Sequence, residues 1–248
     1  MVLFLTSSPC WDDVPEGCDL PCIFDERNRF VDNLREFVAP NARCAVVASD
    51  PETYDRLQEM ADTFAACFAW HGMPFRDVTL LDNRTVDQAE RIIREADVLL
   101  FAGGHVPTQN AFFHRIHLRE LLEGFNGVIM GVSAGTMNCA EVVYAQPELS
   151  GESIDPDYQR YLPGLGLTNL NILPHYQQER DTILDGQRLY EDITYADSYG
   201  HVFLVLVDGS YVLSVDGQEN LFGEAYVISD GQIEQICEES GSLPLDEK

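Results

Sequence analysis

The chain has almost no lysine: Lys248 is the only one among 15 basic residues, against 42 acidic ones, for a formal net charge of −27 over 248 residues. A surface this acidic repels a phosphate backbone, so nucleic-acid binding is excluded as a main activity. It disfavours polyanionic substrates as well, unless a local arginine reverses the field. Also missing is any apolar run near the roughly 20 residues that a membrane-spanning helix needs. The opening residues, MVLFLTSSPCWDD, hold no basic leader and only a short apolar stretch. No secretory signal and no membrane partner are expected, and the reading is cytoplasmic. No repeat, low-complexity tract or linker interrupts the sequence, so a single α/β domain over residues 1–248 is expected, with self-association left open.

The cysteines number seven, at 10, 18, 22, 44, 67, 139 and 237. The number is odd, and most sit in apolar runs such as ARCAVVAS and TFAACFAW, which reads as buried free thiols rather than disulfides. Cys10, Cys18 and Cys22 share one N-terminal loop. Their spacing matches no standard zinc pattern and only three thiols are near, so no metal site is expected there.

What the sequence does have is a regular βα alternation. Apolar runs at 2–5, 44–49, 78–82, 97–104 and 128–132 read as strands. Between them, helical spacing covers 25–38, 51–71, 85–96 and 107–124. Asp50 reads as an N-cap with Pro51 in the first turn, and Gly72 as the stop of that helix. Short strands joined by helical crossovers predict a doubly wound, mostly parallel sheet. After about residue 195 the pattern changes to alternation broken by Asp-Gly at 208–209, 216–217 and 230–231, which reads as C-terminal β-hairpins.

The strand at 128–132 runs into Gly131-Val132-Ser133-Ala134-Gly135, and a helix is expected to follow. In an open α/β sheet, ligands bind at the carboxyl ends of strands. The G-x-S-x-G pattern at such an end fits a nucleophile elbow, with Ser133 held out of a tight turn and the Ala134 N–H available to an oxyanion. Any tight βα turn can carry this pattern. A second glycine turn, Ala102-Gly103-Gly104-His105, ends the preceding strand and strengthens the catalytic reading.

A serine nucleophile needs a base. Of six histidines, His175 follows the strand-like run LNILP, and Pro174 fixes the turn that presents it; His201 is the second choice. His71 reads as a helix-end residue, and His114 and His117 as packing or surface residues. His105 reads as a pocket residue that binds substrate. For the carboxylate that orients the base, Glu148, Glu152, Asp155 and Asp157 all lie in the loop between Ser133 and His175, and their spacing does not separate them.

Three stretches, FAGGHVPTQ, GVSAGTMNCA and GLGLTNLNILPHYQQER, together resemble the serine peptidase family that contains α-aspartyl dipeptidase (peptidase E) and cyanophycinase, peptidase family S51. The resemblance covers most of residues 40–230. It implies a fold like that of class I glutamine amidotransferases, with serine in place of their cysteine, and no metal or cofactor. By position it implies Ser133 as nucleophile, His175 as base, Gly104 and Ala134 as oxyanion donors, Gly103 beside the substrate, and Arg180 as a substrate anchor. It favours Glu152, 23 residues before His175, as the acid, with Glu148 as alternative. His105 stands where the family has asparagine, so preference for an N-terminal aspartate is not implied. The expected activity is hydrolysis of short peptides through an acyl-enzyme. Two rivals remain at this point: an α/β-hydrolase-type esterase using His201, and a non-catalytic amidotransferase-like binding protein.

Overall fold

The computed structural model describes residues 1–245. The five expected parallel strands are present as β1 (Val2–Thr6), β2 (Arg43–Val47), β3 (Asp77–Leu81), β4 (Val98–Phe101) and β5 (Val128–Val132). The C-terminal part adds β6 (Asn171–Leu173), β7 (Val202–Leu206), β8 (Tyr211–Val215), β9 (Gln218–Phe222), β10 (Ala225–Ser229), β11 (Gln232–Cys237) and β12 (Ser242–Leu245). Eight strands form the central sheet in the order β12-β9-β8-β1-β5-β4-β2-β3. The five from β1 to β3 run parallel, and β8, β9 and β12 extend the β1 side antiparallel. The four inner parallel strands are almost wholly buried, as crossover helices covering a sheet require, and the edge strand β3 is buried only at Leu81.

The helices are α1 (Phe30–Phe37), α2 (Tyr54–Trp70), α3 (Ala89–Glu95), α4 (Val106–Arg115), α5 (Leu118–Leu121), α6 (Ala134–Met137) and α7 (Tyr176–Glu179). Three of them differ from the sequence expectation. The helix expected at 107–124 breaks at His117, which is left-handed at φ 53°, so that Leu118 and Leu122 turn inward to be buried. The helix expected from 25 begins at Phe30, because Asn28 and Arg29 are left-handed and Asn28 Nδ2 donates to the Gly209 carbonyl instead. Asp50 does not cap α2; its Oδ1 accepts the Glu52 N–H and the helix starts at Tyr54. Gly72 ends α2 as expected, at φ 81°.

A second, four-stranded sheet, β6-β7-β10-β11, was not foreseen. Its strands β6 and β7 are parallel, with Asn171 opposite Phe203 and Leu173 opposite Val205. The turns at Asp216-Gly217 and Asp230-Gly231 are two-residue hairpins with both residues at positive φ, as the sequence predicts. The turn at Asp208-Gly209 is not a hairpin. It passes the chain from β7 in the second sheet to β8 in the first, where β8 lies between β1 and β9.

The larger core packs around the central sheet and includes Phe4, Phe24, Phe30, Phe68 and Phe101. A second apolar cluster, with Val106, Ala134, Met137, Tyr144, Leu173 and Phe203, lies under the smaller sheet. The chain at 131–137 runs from one cluster to the other.

Candidate active site

Ser133 follows β5 with φ 52° and ψ −115°, a conformation that costs a non-glycine residue of order 1–3 kcal/mol and holds the side chain out of the turn. The surrounding glycines explain how the strain persists. A Cβ at Gly131 would lie 2.8 Å from the Thr136 backbone, and one at Gly135 would lie 2.2 Å from the Phe101 carbonyl oxygen. The elbow therefore packs helix α6 directly against β4 and β5. The Ser133 N–H donates to the carbonyls of Thr6 and Ser7 at 3.2 and 3.1 Å, and the Thr136 hydroxyl donates to the Thr6 carbonyl at 2.8 Å. The Ser133 amide is thus engaged with strand β1. The Ala134 N–H, in the first turn of α6, has no intrahelical acceptor.

Register brings the glycine turn alongside. Phe101 is opposite Gly131, so Gly103 faces Ser133, and a Cβ there would stand 3.4 Å from the Ser133 Cβ. Gly104 abuts Ser49 at the end of β2, where a Cβ would lie 2.5 Å from the Ser49 hydroxyl.

His175 and Asp208 come together because β6 and β7 are parallel neighbours. Continuing the β6–β7 register two residues past Leu173 sets His175 beside Val207, and Asp208 follows. His175 Nδ1 lies 2.7 Å from Asp208 Oδ1. A carboxylate only accepts, so Nδ1 carries the proton and Nε2 keeps its lone pair, which is the tautomer of a general base. The Ser7 hydroxyl donates to the same Oδ1 at 2.7 Å and the Ser8 N–H at 3.0 Å, while the amides of Gln177 and Gln178 donate to Oδ2 at 2.6 and 2.7 Å. Burial pushes the Asp208 carboxyl up, but the hydrogen bonds from His175, Ser7 and Gln177 outweigh it and hold the group below its ordinary value. Ser7 Oγ also accepts the His175 N–H at 2.8 Å, which steadies a residue whose backbone is left-handed at φ 59°.

The carboxylate favoured from the sequence is elsewhere, and the alternative, Glu148, lines the pocket without a hydrogen bond to His175. Glu152 is not at His175. Its Oε1 lies 2.8 Å from His105 Nε2, and its Oε2 accepts the N–H groups of Glu148 and Leu149 at 2.8 and 2.9 Å. Both oxygens are occupied in clasping the 147–152 loop to the glycine turn, and His105 Nδ1 is held by the Thr108 hydroxyl at 2.8 Å. Asp208 was missed because the sequence around it, VDGS, carries a strong turn signal that concealed a side chain at a strand's carboxyl end.

Arg180 is more than half exposed, pairs with Asp181 at 3.4 Å and does not line the pocket of Ser133 and His175. His201 stacks on Tyr161 at the amino end of β7, the opposite end from Asp208, which removes it as a base for Ser133. His114 Nε2 donates to the Pro163 carbonyl at 2.8 Å, and buried His71 stacks on Phe24.

Ser133 and His175 line one cavity of about 270 Å³, together with Met137, Gln146, Glu148 and Leu149 on one side and Glu179, Thr182, Leu184 and Leu189 on the other. Glu148 has an open surface but sits in a concavity, and desolvation pushes its carboxyl up to about 7, partly offset by the Val106 N–H. A larger cavity, about 920 Å³, lies at the other end of the central sheet, lined by Ala42, Asp97, Val98, Asn126 and Val128 at the amino ends of strands. It contains no serine or histidine; the smaller pocket is the one that brings Ser133 and His175 together.

Comparison with known proteins gives the family and the fold. The model of peptidase family S51 matches residues 25–220, and the chain belongs to that family. Among solved structures, one described as a candidate peptidase E protein from Listeria monocytogenes EGD-e has a TM-score of 0.53 at 16% identity, covering 95% of this chain and 97% of that one. At that identity the likeness is one of fold. No curated protein matches the chain.

Proposed function

We propose that this S51 peptidase hydrolyses short peptides by serine catalysis, with Ser133 as nucleophile, His175 as general base and Asp208 as the acid that orients it. One observation carries the reading: His175 Nδ1 is fixed on Asp208 at 2.7 Å while the imidazole and the strained Ser133 face a common pocket. In the acylation step, Ser133 Oγ attacks the scissile carbonyl as its proton passes to His175 Nε2. The carbonyl oxygen becomes an oxyanion, for which the N–H groups of Ala134 and Gly104 are the donors. Collapse of the tetrahedral adduct breaks the C–N bond, and the leaving amine takes the proton from His175. Water then attacks the ester, with His175 again holding its proton, and the acid product leaves.

The pocket's charge bears on the substrate. Glu148 and Glu179 both line it, and Arg180, paired with Asp181, does not. Two carboxylates favour the free α-ammonium of a short peptide and oppose an acidic N-terminal side chain, so the reading is an aminopeptidase-like dipeptidase that does not prefer N-terminal aspartate. Packing by Leu149, Leu184 and Leu189 suits an apolar first residue.

A dipeptide library on purified protein tests this, run on the wild type and on Ser133→Ala, His175→Ala and His201→Ala. The expected result is cleavage abolished by the first two and retained by the third. Activity on a p-nitrophenyl ester but on no peptide would replace the peptidase reading by an esterase one. A Ser133 inert to every substrate and to fluorophosphonate would leave a binding protein.

A further inference from the structure

Cys10 and Cys22 belong to the N-terminal segment and Cys67 to α2, yet the three sulfurs all lie within 4.8 Å of one another. Cys22 Sγ and Cys67 Sγ are 4.0 Å apart, and no cysteine among the described residues is in a disulfide. A disulfide needs sulfurs at about 2.05 Å. Two thiolates on one tetrahedral zinc, each bonded at about 2.3 Å, stand about 3.8 Å apart. The observed separation matches the edge of that tetrahedron and is about twice a disulfide bond.

The surroundings fit a structural ion. Cys10 is on a two-residue strand, Cys10–Trp11, which pairs only with Ile23–Phe24, and Cys22 directly precedes that partner. Residues 12–21 between them hold no strand or helix and are mostly exposed. Two residue pairs are a weak closure for such a segment. Cys67 lies on the buried face of α2 at 1% exposure, and Phe24 packs edge-on against Phe68 at 4.8 Å beside it, a dry wall on the protein side. One ion there would pin the 10–24 segment to α2 and close the site as structural zinc requires. Local spacing groups Cys10, Cys18 and Cys22 but argues against a metal, because Cys67 is 45 residues from Cys22, on a helix.

We infer that Cys10, Cys22 and Cys67 bind one Zn2+ through their thiolates, with Cys18 of the same segment supplying the fourth corner. Binding converts four thiols to thiolates, releasing four protons and forming four Zn–S bonds with no change of oxidation state. The site does not touch substrate. It does adjoin the proposed triad through the chain: Ser7 and Ser8, which hold Asp208, are followed by Pro9, whose carbonyl accepts the Asp25 N–H, and then by Cys10. The ion therefore anchors the segment that steadies the histidine's partner.

The test is elemental analysis of the whole protein, made in zinc-supplemented medium and purified without a metal-affinity step. One zinc per chain is expected in the wild type and in Cys44→Ser, a buried thiol outside the cluster. In Cys10→Ser and Cys18→Ser, both at partly exposed positions, affinity for zinc should fall about 10–100-fold. Because a variant can fail to fold, the wild type is also stripped and reloaded with Co2+. A thiolate charge-transfer band with the visible bands of tetrahedral cobalt is the expected spectrum. Folded wild type free of zinc and showing no such bands, or a mass short of two hydrogens from a Cys22–Cys67 disulfide, would overturn the site. Full retention of zinc by Cys18→Ser would overturn the fourth ligand. These readouts do not depend on peptidase activity.

Discussion

Asp208 Oδ1 receives the His175 Nδ1–H and the Ser7 hydroxyl at the same distance, 2.7 Å, from residues 33 and 201 positions away. One carboxylate oxygen thus ties the second sheet to the end of β1, where the chain also holds the Ser133 amide. The variants below separate the roles within that knot.

Asp208→Asn preserves shape but accepts the Nδ1 proton poorly and favours the wrong tautomer. The expected loss in kcat/KM on a dipeptide is about 10³–10⁴-fold, with near-wild-type circular dichroism. Glu152→Gln keeps the loop clasp in part, and its expected loss is below about tenfold, the scale of one or two hydrogen bonds. The reverse ranking would return the acid's role to Glu152.

Ser7 is a positioning residue. Ser7→Ala removes a donor to Asp208 and an acceptor for the His175 N–H. At about 1 kcal/mol per bond, kcat should fall about 5–30-fold, with KM little changed. The lower limb of the pH–kcat profile should move as His175 is less firmly held, and Ser7→Thr, which keeps the hydroxyl, should restore it.

Glu148 sets a pH dependence. Its carboxyl is pushed up to about 7 from an ordinary 4.5. Between those values the folded protein holds a proton that the unfolded chain releases, so this group weakens stability as pH rises through the window. For substrate the effect is opposite, since only the anion attracts an α-ammonium. KM should fall about tenfold as pH rises from about 6 to about 8, and Glu148→Gln should flatten that change. Urea midpoints and Michaelis curves over the same buffers check both signs.

Gly135→Ala tests the elbow's packing. The added methyl would start 2.2 Å from the Phe101 carbonyl oxygen, and backbone on both sides leaves little room to yield. A loss of about 3 kcal/mol in unfolding free energy is expected, read from a urea transition, with activity falling as Ser133 shifts.

The parallel half of the sheet was legible because buried strands and amphipathic crossovers leave different apolar periods, and all five strands fall within two residues of the expected bounds at most ends. Ser133 and His175 were legible because glycine spacing and a proline mark strand ends locally. The carboxylate that meets His175 was not, since its position depends on which strand β7 pairs with, a long-range choice that local periods do not encode. The second sheet escaped for the same reason: the alternation in HVFLVLV and EAYVIS announces strands but not their partners. His117's reversal inside an otherwise helical pattern is likewise decided by where Leu118 and Leu122 find cover, not by helix propensity.

Strand β1 lies in the middle of the central sheet, with β5 on one side and β8, more than 200 residues later, on the other. During synthesis the first strand must therefore wait for nearly the whole chain before its second edge is covered, and ordering the base waits on the same event, since Asp208 precedes β8 by only three residues. Such long-range closure is slow. A chain ending before residue 208 would therefore carry Ser133 and His175 without the carboxylate that meets the imidazole.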